Sequence, residues 1–256
     1  MIERAKHSLD SKPILTGEKV TKRFGGLTAV SEVDFVVKEG EIMGLIGPNG
    51  SGKTTLINSI SGFYALDGGK VIFNGTSIGG WKPSRIARLG IGRTFQFVRP
   101  FDELTVLDNI AVGVLYGAGE SNIVAGRQKA LDVLEFVGLA NKRDIAAGDL
   151  IMAERKRLEI GRALSINPRL ILLDEVFAGL NDSEVKEGIE LIFRISEELG
   201  ITILMIEHVL SALMETCSRI MVLDYGRKIA DGEVDEIVQN PRVIEAYLGA
   251  AYAKCK

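Results

Sequence analysis

Eight residues limit what this chain can fold into more than any other feature. Gly47-Pro48-Asn49-Gly50-Ser51-Gly52-Lys53-Thr54 fits the spacing G-x-x-x-x-G-K-[ST] between a short apolar run over 41–46 and a helix pattern over 53–60. Average composition produces such an octamer by accident in roughly one chain of this length in a hundred, and the strand–loop–helix order makes accident rarer still. Amides at a helix start carry the positive end of the helix dipole, so a loop that aims them inward binds anions. The glycines let the backbone wrap closely without Cβ clashes. Lys53 adds a point charge for the outer phosphates of a polyphosphate, and Thr54 offers a hydroxyl to a magnesium ion.

The surrounding pattern says what carries this loop. Apolar runs over 170–173, 201–206 and 220–223 lack alternation and are separated by helical patterns over 183–199 and 209–216. Strands of that kind belong to a parallel sheet covered on both faces. The N-terminal region reads differently. Segments 14–24 and 33–37 are strand-like, and 70–78 reads as a hairpin turned by Asn74-Gly75, a pair suited to the two positive φ angles of a type I′ turn. From 105 to 164 the pattern is mainly helical, broken at 117–119 and Gly148, and 233–248 is helical with Pro241 placed to start its second half.

Three further places carry chemistry. The run 169–173 ends in Asp174-Glu175, and a carboxylate at the end of a buried parallel strand lies where such sheets bind ligands. Asp174 suits a magnesium ion through water, and Glu175, its neighbour, suits a water molecule that needs a base. His208 follows the apolar run 201–206 and is placed to sense a terminal phosphate. Gln96 ends the strand-like run 91–95. Near it, Phe97, Val98, Pro100 and Phe101 form an apolar set suited to a partner helix or to burial.

Composition removes several classes of function. A net charge of −3 argues against a broad nucleic-acid surface. Two cysteines, Cys217 and Cys255, and two histidines, His7 and His208, are too few for a disulfide framework or a zinc site, and fit a reducing, cytosolic compartment. The longest charge-free stretch, 54–66, is thirteen residues, where a bilayer crossing needs about 20. Work at a membrane would need another chain to cross it. Residues 1–13 are charged and lack the apolar core of a secretory signal. Trp81 and both cysteines carry no functional signal.

In order and spacing these pieces resemble an ATP-binding cassette (ABC) ATPase, over nearly the whole chain from Ile14 to Gly249. The resemblance implies an α/β fold: a P-loop (RecA-like) parallel sheet core, an N-terminal antiparallel β lobe and an inserted helical subdomain. It implies a flexible arm over 1–13 and one ATPase domain over 14–256, with lobe and core in 14–96 and 165–232, the helical part in 97–164 and a helical tail in 233–256. ATP and Mg²⁺ are the implied ligands. Phe24 matches the aromatic residue under the adenine, and Gly47 to Thr55 the phosphate loop. Gln96 matches the glutamine that reaches Mg²⁺ and the membrane partner. Thr54 and Asp174 match the other metal-side residues, Glu175 the catalytic carboxylate, and His208 the switch histidine. Gly179-Leu180-Asn181 stands at the inter-subunit loop.

One segment departs. Where the family has Leu-Ser-Gly-Gly-Gln, the chain has Leu150-Ile151-Met152-Ala153-Glu154 before Arg155-Lys156-Arg157-Leu158-Glu159. The hydroxyl and both glycines are gone, and a carboxylate pointing inward would repel a phosphate. A heterodimer with a second ABC ATPase would supply a sound partner segment; a homodimer would have two altered ones.

The finer resemblance is to ATPase subunits of branched-chain (hydrophobic) amino-acid importers. It rests on 85–96, on 104–110, on Ala178-Gly179-Leu180-Asn181 and on the ending Glu245-Ala246-Tyr247-Leu248-Gly249. It implies transmembrane permease partners and a place on the inner face of the cell membrane. Urea importers and lipopolysaccharide exporters look similar. A weakly hydrolysing regulatory module and a soluble DNA-repair or translation cassette are the other readings; the second is disfavoured by the acidity and the lack of a long coiled-coil insertion.

Overall fold

An apolar run without alternation must be buried on both faces, and Ile42–Ile46 is: every residue of this third strand is buried. The computed structural model describes residues 11–96 and 99–248, so the Phe97–Val98 part of the expected docking set, Gly249, Cys255, His7 and most of the 1–13 arm lie outside the described residues. In chain order the first elements are β1 (Pro13–Phe24), β2 (Leu27–Lys38), β3 (Ile42–Ile46), α1 (Lys53–Ile60), β4 (Gly68–Phe73), β5 (Thr76–Ser77), α2 (Pro83–Leu89) and β6 (Ile91–Arg93). Then come α3 (Val106–Val112), α4 (Ile123–Phe136), α5 (Met152–Leu164), β7 (Leu170–Asp174), α6 (Asp182–Glu197), β8 (Thr202–Ile206) and α7 (Leu210–Thr216). The last are β9 (Arg219–Asp224), β10 (Arg227–Glu233), α8 (Val234–Gln239) and α9 (Pro241–Leu248).

The described residues divide into two units, with boundaries between Pro83 and Ser84 and between Ile201 and Thr202. In the unit that holds the glycine-rich loop, β1 pairs antiparallel with both β2 and β4. The expected hairpin closes between β4 and β5, with Asn74 at φ 47° and Gly75 at φ 76°, both positive as a type I′ turn requires. In the same unit β3 lies between β8 and β9 and runs parallel to both. Burying apolar side chains such as Leu45, Leu204 and Val222, all fully enclosed, stabilises by about 1.5–3 kcal/mol each.

The other unit contains the parallel pair β6–β7 and most of the helical stretch. A turn of π-helix over Gly113–Gly117 continues from α3 and ends at Gly117, where the break expected over 117–119 begins. Thr105 starts α3 by accepting the Asp108 amide, and Asn122 starts α4 by accepting two amides, each a side-chain cap that the sequence pattern left unassigned.

Two features differ from the sequence reading. Residues 227–233, to which the sequence pattern assigned no element, form strand β10, whose side chains are exposed or half-buried. Its hairpin to β9 turns on Tyr225 (φ 44°) and Gly226 (φ 76°). The tail is two helices, not one, parted at Asn240 with Pro241 opening α9.

Candidate functional site

In the first unit, β3 delivers the chain into the loop and α1 carries it away. Gly47 has φ 151°, and a Cβ there would lie 2.0 Å from the Leu223 carbonyl oxygen, so only glycine fits. Gly52 caps α1 in the left-handed conformation, with no side-chain cap and no acid in the first helical turn. Lys53 is almost wholly enclosed, and its ammonium donates to the Gly47 carbonyl at 2.7 Å and the Pro48 carbonyl at 2.9 Å, with Ser51 Oγ at 3.5 Å. The loop is thus curled around a cation. Asn49, Gly50 and Thr54 are exposed, while Thr55 is half-buried.

His208 leaves the sheet at the same edge. Leu45 and Ile206 are register partners; Gly47 lies two residues beyond the first and His208 two beyond the second, exposed. Phe24, last in β1, is 43% exposed, with Tyr64 edge-on at 5.1 Å and the Lys22 ammonium 5.3 Å from its ring centre. An exposed ring held by an edge contact has a face to offer a base. Tyr64 was not foreseen; it lies 40 positions from Phe24 in the sequence, and no spacing rule connects the two.

The far end of the chain reaches the same loop. A cavity of about 530 Å³ lies between Pro48, Asn49 and Gly50 on one side and Asp224, Arg242 and Glu245 on the other. Burial pushes the Tyr247 hydroxyl above its ordinary value of 10.0, and a hydrogen bond with the Gly47 backbone works against that rise.

In the second unit, β6 and β7 end side by side. Asp174 is 1% exposed, with Oδ2 at 3.4 Å from an Arg93 nitrogen and its amide donating to Thr94 Oγ1 at 3.0 Å. Its other oxygen, Oδ1, is buried and has no hydrogen-bond partner. Burial raises the Asp174 carboxyl above its ordinary 3.8, more than Arg93 lowers it, with the Glu175 charge adding to the rise. A buried oxygen without a donor, on a carboxylate already strained by burial, suits a cation or a cation-bound water. Among the described residues no group of three or more His, Cys, Asp or Glu side chains is placed to hold a metal ion.

Glu175 sits in a left-handed backbone conformation (φ 53°), and its Oε2 accepts the Gln96 side-chain amide at 2.9 Å. The structure thereby brings together two residues that the sequence could only place at separate strand ends. The carbonyl of Glu175 accepts the Lys156 ammonium at 2.8 Å. The neighbouring Phe95 amide donates to Glu159 Oε1 at 2.7 Å, and burial raises Glu159 above its ordinary 4.5. Lys156 and Glu159 were named only as part of a charged run after the altered segment. Of the apolar set beyond Gln96, Pro100 is buried, while Phe101 is exposed with the Arg162 guanidinium 5.0 Å from its ring centre.

The altered segment starts α5. Glu154 turns back on its own helix: Oε2 accepts the Ile151 amide at 3.2 Å, and Oε1 pairs with the Lys142 ammonium at 2.5 Å. Arg155 is likewise committed, donating to the Leu150 and Gly148 carbonyls. Ile151 and Met152, 61% and 53% exposed, form the outward face. Asn181 caps α6 by accepting the Ser183 and Glu184 amides.

The chain is similar to known proteins in both sequence and fold. The ABC transporter family matches residues 30–178, and a branched-chain amino acid ATP-binding cassette transporter family matches 227–253. The high-affinity branched-chain amino acid transport ATP-binding protein BraF of Pseudomonas aeruginosa is 39% identical over 254 residues, covering 94% of this chain and 100% of that protein. An ATP-binding cassette of an ABC transporter, solved in its ADP conformation, superposes with a TM-score of 0.84 at 35% identity, covering 93% of this chain and 100% of that one. A dimeric cassette bound to ADP and phosphate after hydrolysis superposes with a TM-score of 0.77 at 25% identity, covering 86% of this chain and 98% of that one. The chain belongs to the ABC transporter family, among its branched-chain amino-acid transport ATP-binding proteins.

Proposed function

We propose that this chain is the ATP-hydrolysing subunit that powers import of branched-chain, hydrophobic amino acids through separate membrane subunits. Its relatives' near-full-length similarity supports the transport class, and the terminal match over 227–253 supports the solute over the urea and lipopolysaccharide alternatives. Among the described residues no helix is long and apolar enough to cross a membrane, which fits a subunit docked on the inner face of one.

Lys53 and the amides of Gly50 to Thr55 bind the phosphates of ATP, the ammonium exchanging loop carbonyls for phosphate oxygens. Phe24 stacks on the adenine. Thr54, Asp174 and Gln96 would hold Mg²⁺, which, when bound, offsets charge on the phosphates. Glu175 takes the proton from the water that attacks the terminal phosphate, and His208 holds that phosphate through its imidazole. Residues 97–164 serve as the helical subdomain and 233–256 as the tail of one ATPase domain. A second ATPase subunit closes over the nucleotide, as the dimeric cassette suggests. Glu154, turned onto its own helix, offers no charge to repel the partner's phosphate, which weakens the case for a module that merely senses ATP.

The Gln96–Glu175 contact beside the unpartnered Asp174 oxygen carries the hydrolytic assignment. Glu175→Gln should slow turnover by about 10²–10⁴ while leaving ATP affinity intact. Turnover near the parent rate would remove Glu175 from the base role.

A further inference from the structure

The side chains of α5 at two positions one turn apart reach two different pieces of the hydrolytic apparatus. Lys156 holds the backbone of Glu175 and Glu159 holds the backbone of Phe95, the residue before Gln96. Positions i and i+3 of a helix share a face, so the two anchors move as one rigid piece. Between them stands the Gln96–Glu175 hydrogen bond. The helix thus brackets that bond from both sides.

Lys156 is the costlier arm. It is 5% exposed, and enclosing an ammonium is expensive unless its donors are well used. Here one donor goes to the carbonyl of a residue whose backbone is itself strained. A non-glycine residue in the left-handed region costs about 1–3 kcal/mol and persists only where its surroundings enforce it. The Glu175 carbonyl is fixed by two donors, the Lys156 ammonium at 2.8 Å and the Ala178 amide at 3.3 Å. The direction in which the Glu175 side chain leaves the backbone depends on that conformation. We propose that Lys156 is a positioning residue for Glu175: through the carbonyl it grips, it sets the backbone conformation that aims the Glu175 carboxylate, and it ties that aim to the start of α5, where Ile151 and Met152 are exposed. This rests on Glu175 being the base, as proposed above.

The test uses the full chain in the transporter complex that co-purifies with it. Lys156→Met should lower kcat by about 10–100-fold, the size of effect a small misplacement of a reacting group produces. KM for ATP, affinity for ADP and melting temperature should stay near parent values. Lys156→Gln, whose amide can donate to the same carbonyl without the charge, should recover most of the rate. In a Glu175→Gln background, Lys156→Met should add little further loss, because the two act through one group. Lys156→Met with the parent kcat overturns the proposal. So does Lys156→Gln as impaired as Lys156→Met, which would make the charge, not the tether, the working feature; so does full additivity in the double variant. Lys156→Thr, too short to reach the carbonyl, replaces the methionine variant if that one fails to fold. Parent-like turnover in Glu175→Gln alone would instead overturn the base assignment, and the two failures are thereby told apart.

Discussion

The helices α1 and α5 begin in opposite ways. α1 starts from a left-handed glycine, with no side-chain cap and no acid in its first turn. α5 starts by folding its own Glu154 back onto the Ile151 amide and fixing that carboxylate with Lys142. A helix start left without a cap gives up about 1 kcal/mol of local stability. The uncapped start is the one proposed to receive a phosphate, whose negative charge would replace the missing cap; the other start carries a cap of its own. The same contrast holds for two acids. Both oxygens of Glu154 are engaged in its own surroundings, whereas Asp174 keeps one buried oxygen without a donor.

The strongest way to break this comparison is to remove the cation inside the loop around α1. Lys53→Ala should weaken ATP binding by about 100-fold or more, as loss of two charge-assisted bonds to phosphate implies. Calorimetry and the loss of nucleotide-dependent protection from melting would show it. A smaller effect comes from making α1 begin as α5 does. Thr55→Glu puts a carboxylate at the third helical position, as Glu154 is in α5. It should raise the melting point of the nucleotide-free chain slightly, since an acid there contributes about 0.3–1 kcal/mol, and weaken ATP binding about tenfold. A variant that binds ATP normally would show that the uncapped start has no functional meaning.

Titrating Asp174 sharpens the contrast between the two acids. Its folded value lies above the ordinary 3.8, so the charged form costs stability at neutral pH, and the cost is relieved as pH falls. A cation binds only the charged form. The extra protection that Mg²⁺ adds to ADP should therefore be complete at neutral pH and fade on acidification, starting above the usual aspartate range. Thermal shifts with and without Mg²⁺ follow this, and Asp174→Asn should abolish the Mg²⁺ increment at every pH. The smallest effect belongs to Glu154→Ala, which should cost about 0.5–1 kcal/mol in urea unfolding, a lost cap and a partly screened ion pair, while leaving ADP affinity unchanged.

Much of this was legible in the sequence, because the features that define it are local. The loop and α1 lie where the octamer placed them, and Asn74-Gly75 turns its hairpin through the φ signs its residue types favour. The apolar runs became β3, β7, β8 and β9 because nothing but a sheet core accommodates such runs. What stayed hidden is set by contacts between distant residues. Lys156 and Glu175 are 19 positions apart, and no periodicity makes one donate to the other's carbonyl. The direction of Glu154 depended on Lys142 standing near it in space. Strand β10 escaped because it is half-exposed, and an exposed edge leaves little apolar pattern to read.

The link between Tyr247 and the Gly47 backbone has a practical result. The last helix and the first glycine of the loop are separated by 200 positions, yet the Gly47 backbone acts on the Tyr247 phenol, holding down the rise that burial causes. Shortening the chain ahead of Pro241 would strip a wall, Arg242 and Glu245, from the cavity beside Pro48. Tyr247→Phe removes the hydroxyl while keeping the ring, so the surroundings of this loop can be altered from a helix near the opposite end of the sequence.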